Sequence, residues 1–118
     1  MSVKMSLSPA SYGPLTPAEF QVLVALADGE KHGYAIGKEV KRRTNKQVQL
    51  RAATLYTVIK RLLADALIEE SSSRPDAALD DERRRYYRLT DRGREVAVAE
   101  AHRLEQTLAQ ARTKLGLV

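Results

Sequence analysis

The stretch Ala52–Ala66, AATLYTVIKRLLADA, places apolar residues at steps of three and four, which predicts a helix with one buried stripe. The stripe comprises Ala52, Leu55, Ile59, Leu62, Leu63 and Ala66. At about 100° per residue, small and basic residues fall on the opposite side. They are Ala53, Thr57, Lys60, Arg61 and Ala64. Small residues let a helix enter the major groove of DNA, and basic ones neutralise phosphates or bind guanine.

Two shorter helices are predicted before this stretch. The sequence Thr16–Glu19 is a capping box with proline at the first helical position, so the first helix begins there and ends before Gly29. Its apolar residues form two stripes, and we expect a second subunit to cover one of them. The second helix follows the turn Asp28–His32. Its inward residues are Gly33, Ile36, Gly37 and Val40.

A β-hairpin is predicted after the third helix. Leu67 and Ile68 begin one strand, and Arg84–Thr90 forms the other. The polar residues Ser71–Glu82 form a long tip between them. Three helices followed by a hairpin are typical of a winged helix-turn-helix. We therefore expect a mainly α fold with a small β-hairpin.

A long final helix begins near Thr90 or Asp91 and continues to about Leu115, where Gly116 ends it. Roughly 25 residues at ~1.5 Å each give about 37 Å, which is too long for a small domain's own core to cover. Its apolar residues alternate steps of four and three, the spacing of a coiled-coil seam. We therefore expect dimerisation through this helix. The predicted seam consists of Ala97, Ala101, Leu104, Leu108, Ala111 and Leu115.

Charge is segregated along the chain, which has 118 residues and a net charge of +5. Residues 31–61 contain nine basic residues and one acid. Residues 65–82 contain seven acids and one arginine, and residues 83–94 contain six arginines and one acid. Because a solvated helix normally mixes its charges, such segregation indicates functional surfaces. The two basic blocks predict a polyanionic partner, which we take to be double-stranded DNA.

Composition excludes several classes of protein. The chain has the length of one domain, and 43% hydrophobic residues are enough to form a core. Cysteine is absent, and His32 and His102 lack a third ligand at a metal-binding spacing, so we expect no metal, cofactor or catalytic residue. No apolar run approaches ~20 residues, and Met1–Pro14 lacks a secretory signal. We expect a cytoplasmic protein that does not bind membranes.

Three motifs resemble those of the PadR family of bacterial transcriptional repressors. They are His32-Gly33-Tyr34-Ala35-Ile36, Thr54-Leu55-Tyr56 with Arg61-Leu62, and Arg84-Arg85-Tyr86-Tyr87-Arg88-Leu89-Thr90-Asp91-Arg92-Gly93. The resemblance extends from about Leu15 to the end, and the single last helix is similar to that of the shorter subfamily. It implies a winged-helix DNA-binding domain at residues 15–90 and a dimerisation helix at residues 91–118. Residues 1–14 are then an N-terminal arm, which we expect to be flexible.

The chain departs from the family's pattern in helix three and in the wing. Ala53 and Thr57 stand where members commonly have Gly and Pro around the Thr-Leu-Tyr triplet. The threonine supplies a hydroxyl and an N–H that proline lacks, so we expect a different base preference. Ala52 offers no side-chain cap to the helix. The wing tip is longer and more acidic than in the family. Acids repel phosphate, and the sequence leaves open whether this tip aids or opposes DNA binding.

We expect helix three and the wing to contact DNA together. The predicted contact residues are Arg51, Thr54, Tyr56, Thr57, Lys60, Arg61, Arg83, Arg84 and Arg85. We expect the outward side of the helix to contact base edges. We expect the arginines of the wing to contact phosphate or the minor groove. Tyr34 and Tyr87 are predicted to pack in the fold, whereas packing and phosphate contact remain equal alternatives for Tyr56.

These features predict a homodimeric repressor that binds an inverted-repeat operator. The resemblance also implies a small-molecule effector, such as a phenolic compound or a drug, at the dimer interface between the last helices and helix one. The alternative is a winged-helix module that binds a protein through its last helix and leaves its basic face solvated. A titration against duplex DNA distinguishes the two functions.

Overall fold

A computed structural model describes residues 12–71 and 85–117 of the chain. Its elements in chain order are α1 (Pro17–Ala25), β1 (Lys31–His32), α2 (Gly33–Arg43), α3 (Ala52–Ala64), β2 (Ile68–Glu70), β3 (Tyr86–Leu89) and α4 (Asp91–Leu115). The three strands form one antiparallel sheet in the order β1-β3-β2. This arrangement confirms a mainly helical winged-helix fold. The predicted wing tip from residue 72 and most of the predicted arm lie outside the described residues.

The helix α1 begins where its capping box predicts. The Thr16 hydroxyl oxygen accepts the Glu19 N–H at 3.1 Å, and Glu19 Oε1 accepts the Thr16 N–H at 2.9 Å. The helix packs against α2, α3 and α4. Residues from both apolar stripes are buried, namely Val22, Leu23, Ala25 and Leu26. The chain's own helices therefore cover one stripe and part of the other, whose Phe20 and Val24 are half-buried and whose Ala27 is exposed. Coverage of that stripe by a second subunit stays a prediction.

The segment predicted as a turn before α2 contains a third strand. Lys31 pairs with Tyr87 and His32 with Tyr86, so β1 lies on the free edge of β3. A strand of two residues is too short to show alternation, and its formation depends on the partner strand. The two predicted strands are also shifted, because β2 begins at Ile68 and β3 begins only at Tyr86.

The core lies between the first three helices, the sheet and the first half of α4. Its largest fully buried side chains are Leu23, Leu26, Ile36, Ile59, Leu62, Leu67, Ile68, Val22, Val40 and Val96. The predicted stripe of α3 supplies Leu55, Ile59 and Leu62. Burying one such side chain stabilises the fold by about 1.5–3 kcal/mol. Leu63 is half-buried, and Ala52 and Ala66 at the two ends of the predicted stripe are exposed. The buried middle of the stripe fixes the direction of the outer side of α3.

The start of α4 lies directly against the backbone of Leu67. A Cβ atom at Gly93 would lie 1.9 Å from the Leu67 carbonyl oxygen, so only glycine permits this approach. Thr90 fixes the same junction, since its N–H donates to Leu67 O at 3.1 Å and its hydroxyl donates to Ala66 O at 2.7 Å. The hydroxyl oxygen also accepts the Gly93 N–H at 2.9 Å and caps α4. The long helix therefore starts from a fixed point beside the sheet.

The second half of α4 extends beyond the core. The exposed fractions of Leu104, Leu108 and Leu115 range from 46% to 71%. Gly116 adopts the left-handed conformation with φ of +68° and ends the helix as predicted. No helix within residues 12–71 and 85–117 is long and apolar enough to cross a membrane.

Candidate nucleic-acid interface

The outer side of α3 is open to solvent. Its exposed residues include Ala53, Thr54, Thr57, Lys60, Arg61 and Ala64, with Arg51 just before the helix. Thr57 donates its hydroxyl proton to Ala53 O at 2.9 Å, and its oxygen can still accept a hydrogen bond from a partner. The predicted outer side is thus confirmed as exposed, and its contact with DNA stays a prediction.

The first turn of α3 has no side-chain cap. Arg51 is the N-cap residue, and its side chain makes no capping hydrogen bond. Amide groups at an uncapped helix start carry partial positive charge and favour anions such as phosphate. A cleft of about 360 Å³ lies between this turn and α2. The cations that line the cleft are Lys38, Lys41 and Arg51.

Five cations on α2, on α3 and between them form a surface that we call the helix face. They are Lys38, Lys41, Arg42, Arg51 and Lys60. All five are exposed, and none forms a salt bridge with another described residue. The Lys38 ammonium lies 5.3 Å from the centre of the Tyr34 ring, which leaves its charge intact. Such a group of cations maintains a positive field that attracts a polyanion.

Arg61 is bound to α1, although its side chain is largely exposed. Its Nη1 lies 3.3 Å from Oε2 of Glu19, a residue that is only 6% exposed. A nearly buried carboxylate is costly unless it has charged or hydrogen-bonding partners. The pair therefore ties α3 to the first turn of α1, and base readout by Arg61 stays a prediction.

The described part of the wing holds its arginines in ion pairs. Arg88 Nε lies 2.8 Å from Glu69 Oε2, and Arg85 Nε lies 3.7 Å from Glu70 Oε2. Glu69 and Arg88 are direct neighbours across the ladder between β2 and β3. We call these four residues the wing root, and their charges cancel. Outside the described residues lie the predicted contacts Arg83 and Arg84.

Two of the tyrosines predicted to pack in the fold have different surroundings. Tyr87 is buried in the core, as predicted. Tyr34 is 55% exposed, so its prediction as a packing residue is wrong. The helix α2 turns Gly33 and Ile36 inward, and Tyr34 therefore points away from the core. Its ring stacks on His32 instead, with ring centres 6.3 Å apart.

Tyr56 lies against the start of α2. Its hydroxyl oxygen is buried, and a Cβ atom at Gly33 would lie 2.5 Å from that oxygen. The sequence left packing and phosphate contact open as alternatives for Tyr56, and this close approach favours packing. A contact between Tyr56 and DNA stays a prediction.

The histidines have structural surroundings in this fold. His32 precedes α2, and its Nδ1 accepts the Ala35 N–H at 3.2 Å, so it caps the helix. His102 lies exposed on α4. Among the residues that the structure describes, no three acidic or histidine side chains are grouped closely enough to hold a metal ion.

Lys38 and Lys41 are absent from the predicted contact residues. The sequence placed both on the outward side of the second helix, within the most basic block. It gave no distance between that helix and the third, whereas the structure brings both lysines to the cleft beside Arg51. The charge density of the block was the signal that pointed to them.

The predicted seam of α4 divides into two parts. Ala97 packs against the core of its own chain. The other five residues are half-buried or exposed, namely Ala101, Leu104, Leu108, Ala111 and Leu115. An exposed apolar row of this kind is what a helix-to-helix dimer requires. Dimerisation itself stays a prediction.

Comparison with known sequences connects this site to a family. A sequence profile described as "Transcriptional regulator PadR-like family" matches residues 22–99, which is more than half of the chain. An uncharacterized protein of Lysinibacillus sphaericus is 36% identical over 73 residues, covering 62% of this chain and 64% of that protein. The matched part is thus less than two thirds of that relative.

Solved structures of transcription regulators have a similar fold. A PadR family transcription regulator from Clostridium difficile is 23% identical with a TM-score of 0.71, covering 85% of this chain and 99% of that one. A transcriptional regulator from Clostridium thermocellum is 24% identical with a TM-score of 0.69, covering 81% and 87%. RosR from H. salinarum is 27% identical with a TM-score of 0.58, covering 81% and 76%.

Proposed function

This chain belongs to the Transcriptional regulator PadR-like family, and from that premise we propose that it is a homodimeric repressor that binds an inverted-repeat operator. Family membership supports a DNA-binding role in the regulation of transcription and a non-enzymatic role. The observation that carries the proposal is the helix face, whose five cations have no acidic partner among the described residues.

In the proposed complex α3 lies in the major groove with its first turns nearest the bases. Thr54, Thr57 and Lys60 are exposed on that side and reach base edges. The cleft beside the first turn receives a backbone phosphate, because Lys38, Lys41 and Arg51 surround it. Phosphate contacts fix the register of the protein, and the residues of α3 then select the sequence.

Dimerisation through α4 supports the inverted repeat. The exposed leucines Leu104, Leu108 and Leu115 form one row that a second copy of α4 covers. A twofold dimer presents two copies of α3 in opposite directions, so the operator has two half-sites about one helical turn, or a multiple of it, apart. The effector that releases the repressor occupies the dimer interface between the last helices and α1.

A selection followed by a titration tests this function. Duplexes are first selected from a random pool, and the best one is titrated by fluorescence anisotropy beside a random duplex at several salt concentrations. We expect a steep log-log salt dependence, with a slope of about −5 if six phosphates are neutralised. The variant Lys38→Ala with Lys41→Ala should flatten that slope, because both lysines line the cleft. Lys114→Ala near the end of α4 serves as a control.

The oligomeric state is measured by light scattering on the same samples. A monomer that binds DNA would refute the dimeric operator and leave the DNA-binding face in place. A dimer that selects no duplex and has a flat salt response would instead favour a protein-binding module that uses α4.

A further inference from the structure

The segment Tyr12–Thr16, which we call the strap, crosses from the end of α3 to the middle of α4. The Tyr12 hydroxyl donates to the carboxylate of Asp65, the residue that ends α3. At the other end of the strap, Leu15 is buried in the core. These contacts place residues of the predicted N-terminal arm in the tertiary structure.

Two nearly buried carboxylates hold the backbone of the strap. Glu19 Oε1 accepts the Thr16 N–H at 2.9 Å, and Glu100 Oε1 accepts the Leu15 N–H at 3.1 Å. Glu19 is 6% exposed and Glu100 is 5% exposed. Desolvating a carboxylate in this way is unfavourable unless several hydrogen bonds or a cation compensate, so both bonds to the strap matter to the fold.

Each carboxylate also binds an arginine, and the two arginines belong to different helices. Glu19 binds Arg61 of α3 at 3.3 Å, and Glu100 binds Arg103 of α4. Arg103 donates in addition to Gly13 O at 3.3 Å. The strap thus connects the helix that we place in the groove with the helix that we place in the dimer.

Arg92, in the first turn of α4, contacts both the end of α3 and the strap. Its Nε donates to Asp65 O at 3.1 Å, and its guanidinium lies 5.6 Å from the centre of the Tyr12 ring. The end of α3 is therefore bound both to the first turn of α4 and to the strap that covers it. A rotation between α3 and α4 would break contacts at both ends of the strap.

We propose that Glu19 and Glu100 are positioning residues that, through the strap, fix the angle between α3 and α4 and so determine which half-site spacing the dimer accepts. The spacing rests on the proposed function, because it requires a dimer formed by α4. The 13 residues of α3 span about 20 Å. A rotation of about 10° around one end of this helix therefore displaces its other end by about 3.4 Å, which is the rise of one base-pair step. A small loss of angular restraint therefore changes the operator geometry.

The first test measures DNA affinity as a function of half-site spacing. The selected operator is remade with one or two base pairs added or removed between its half-sites, together with a duplex that contains a single half-site. For the wild type we expect a loss of about tenfold per base-pair change. For Glu100→Gln, whose amide oxygen still accepts the Leu15 N–H but no longer pairs with a cation, we expect differences of about threefold at most.

The control for this test is Glu95→Gln, which removes the same charge from an exposed position of α4. It should reproduce the wild-type spacing profile. The single half-site should bind Glu100→Gln as tightly as it binds the wild type. An unchanged spacing profile for Glu100→Gln, or an equal loss on every duplex including the single half-site, would overturn the proposal. If Glu100→Gln does not fold, Tyr12→Phe removes the bond to Asp65 alone and is expected to broaden the profile in the same direction.

A second test needs neither DNA nor a dimer. Because the chain has no cysteine, Ala53→Cys on α3 with Glu105→Cys on α4 gives two sites for spin labels. Diluting labelled chains with unlabelled ones leaves only distances within one chain. We expect a narrow distance distribution in the wild type and a clearly broader one with Glu100→Gln or Tyr12→Phe. Equal widths would refute the positioning role, whereas a wild type that selects no duplex would refute the proposed function and leave this readout intact.

Discussion

On the helix face, five cations form no salt bridge with a described residue, whereas at the wing root each described arginine faces a glutamate on the adjacent strand. The ladder between β2 and β3 explains the wing root, because its register places Glu69 directly opposite Arg88. The helix-face cations of α2 are exposed, and Glu39, the acid of that helix, binds Lys31 and Arg43 instead of them. The difference shows that the charge available to a polyanion is the charge left after pairing within the fold.

The same distinction applies to the described part of the second basic block, residues 85–94. Arg92 donates to Asp65 O and Arg94 donates to Ala27 O, so these two arginines also serve contacts within the chain. Arg85 and Arg88 are paired with glutamates, whereas Arg92 and Arg94 keep their charge and are held in position by backbone carbonyls. We therefore expect the electrostatic part of DNA binding to come mainly from the helix face.

The largest effect is expected from a change that separates the dimer, because each monomer then brings only one helix face and one wing root to the operator. Leu104→Lys with Leu108→Lys places two charges in the proposed seam, so the protein should become monomeric and lose about 10²–10⁴-fold in operator affinity. Light scattering and anisotropy measure the two outcomes. Gln106→Lys with Gln110→Lys adds the same charges on the opposite side of α4 and should remain dimeric. A folded dimer formed by the leucine variant would show that α4 is not the interface.

The direct comparison of the two surfaces uses two double variants. Lys41→Ala with Arg51→Ala should reduce the salt slope by about two and weaken binding by about 100-fold at low salt. Arg85→Ala with Arg88→Ala should change the slope by less than about one, because these cations are already paired within the fold. The measurement is the slope of affinity against salt on random duplex. Equal slopes for the two variants would remove the distinction between the surfaces.

A finer comparison separates two neighbours on α3. Lys60→Ala should cost about 1–2 kcal/mol on the operator and much less on random duplex, because an exposed lysine of the outer side reads sequence. Arg61→Ala should lower thermal stability, since it leaves the nearly buried Glu19 without its cation. Parallel anisotropy titrations and melting curves measure both variants. A loss confined to the operator for Arg61→Ala, with unchanged melting, would assign base readout to that arginine.

A smaller gain of binding is expected when a pair at the wing root is opened. Glu69→Gln leaves Arg88 without its anionic partner, so the salt slope should become steeper by up to about one and affinity should rise about threefold. Glu95→Gln on α4 is the matched control, because it makes the same net-charge change away from the wing. The same gain in both variants would trace the effect to net charge and not to the released arginine.

The smallest effect is expected at Tyr12 of the strap, whose hydroxyl donates to Asp65 at the end of α3. Burial, with the hydrogen bond to Asp65 next in importance, raises the pKa of Tyr12 to about 12. A phenol whose pKa is raised in the folded state contributes stability below its unfolded pKa of about 10 and loses it as pH rises through the folded value. Chemical denaturation should therefore show the wild type losing more stability between about pH 10 and 12 than Tyr12→Phe does. Identical pH profiles would show that folding does not raise the pKa of Tyr12.

Local signals allowed much of the fold to be predicted from sequence. The capping box at Thr16–Glu19 and the glycine at position 116 act within one helical turn, and the structure has both helix ends there. The stripe of α3 likewise needed only its own periodicity. Elements whose formation is set by nearby residues are those that a sequence specifies most clearly.

The partners of the charged side chains were not predictable in the same way. Arg61 and Glu19 are 42 residues apart, and no periodicity connects them. The strand β1 depends on Tyr86 and Tyr87, which lie more than fifty positions later. The sequence therefore shows where the basic residues are. Only the packing of the helices and strands determines which of them are paired with acids.

The contact between Gly93 and Leu67 O has a consequence for mutational tolerance. At Gly37 a Cβ atom would meet only Leu55 Cδ2, at 3.4 Å, so alanine fits there with a slight adjustment of one flexible side chain. At Gly93 the obstacle is a backbone carbonyl at 1.9 Å, which has no room to move. In a saturation library sorted for folded protein, we expect alanine to survive at position 37 and every codon except those of glycine to disappear at position 93.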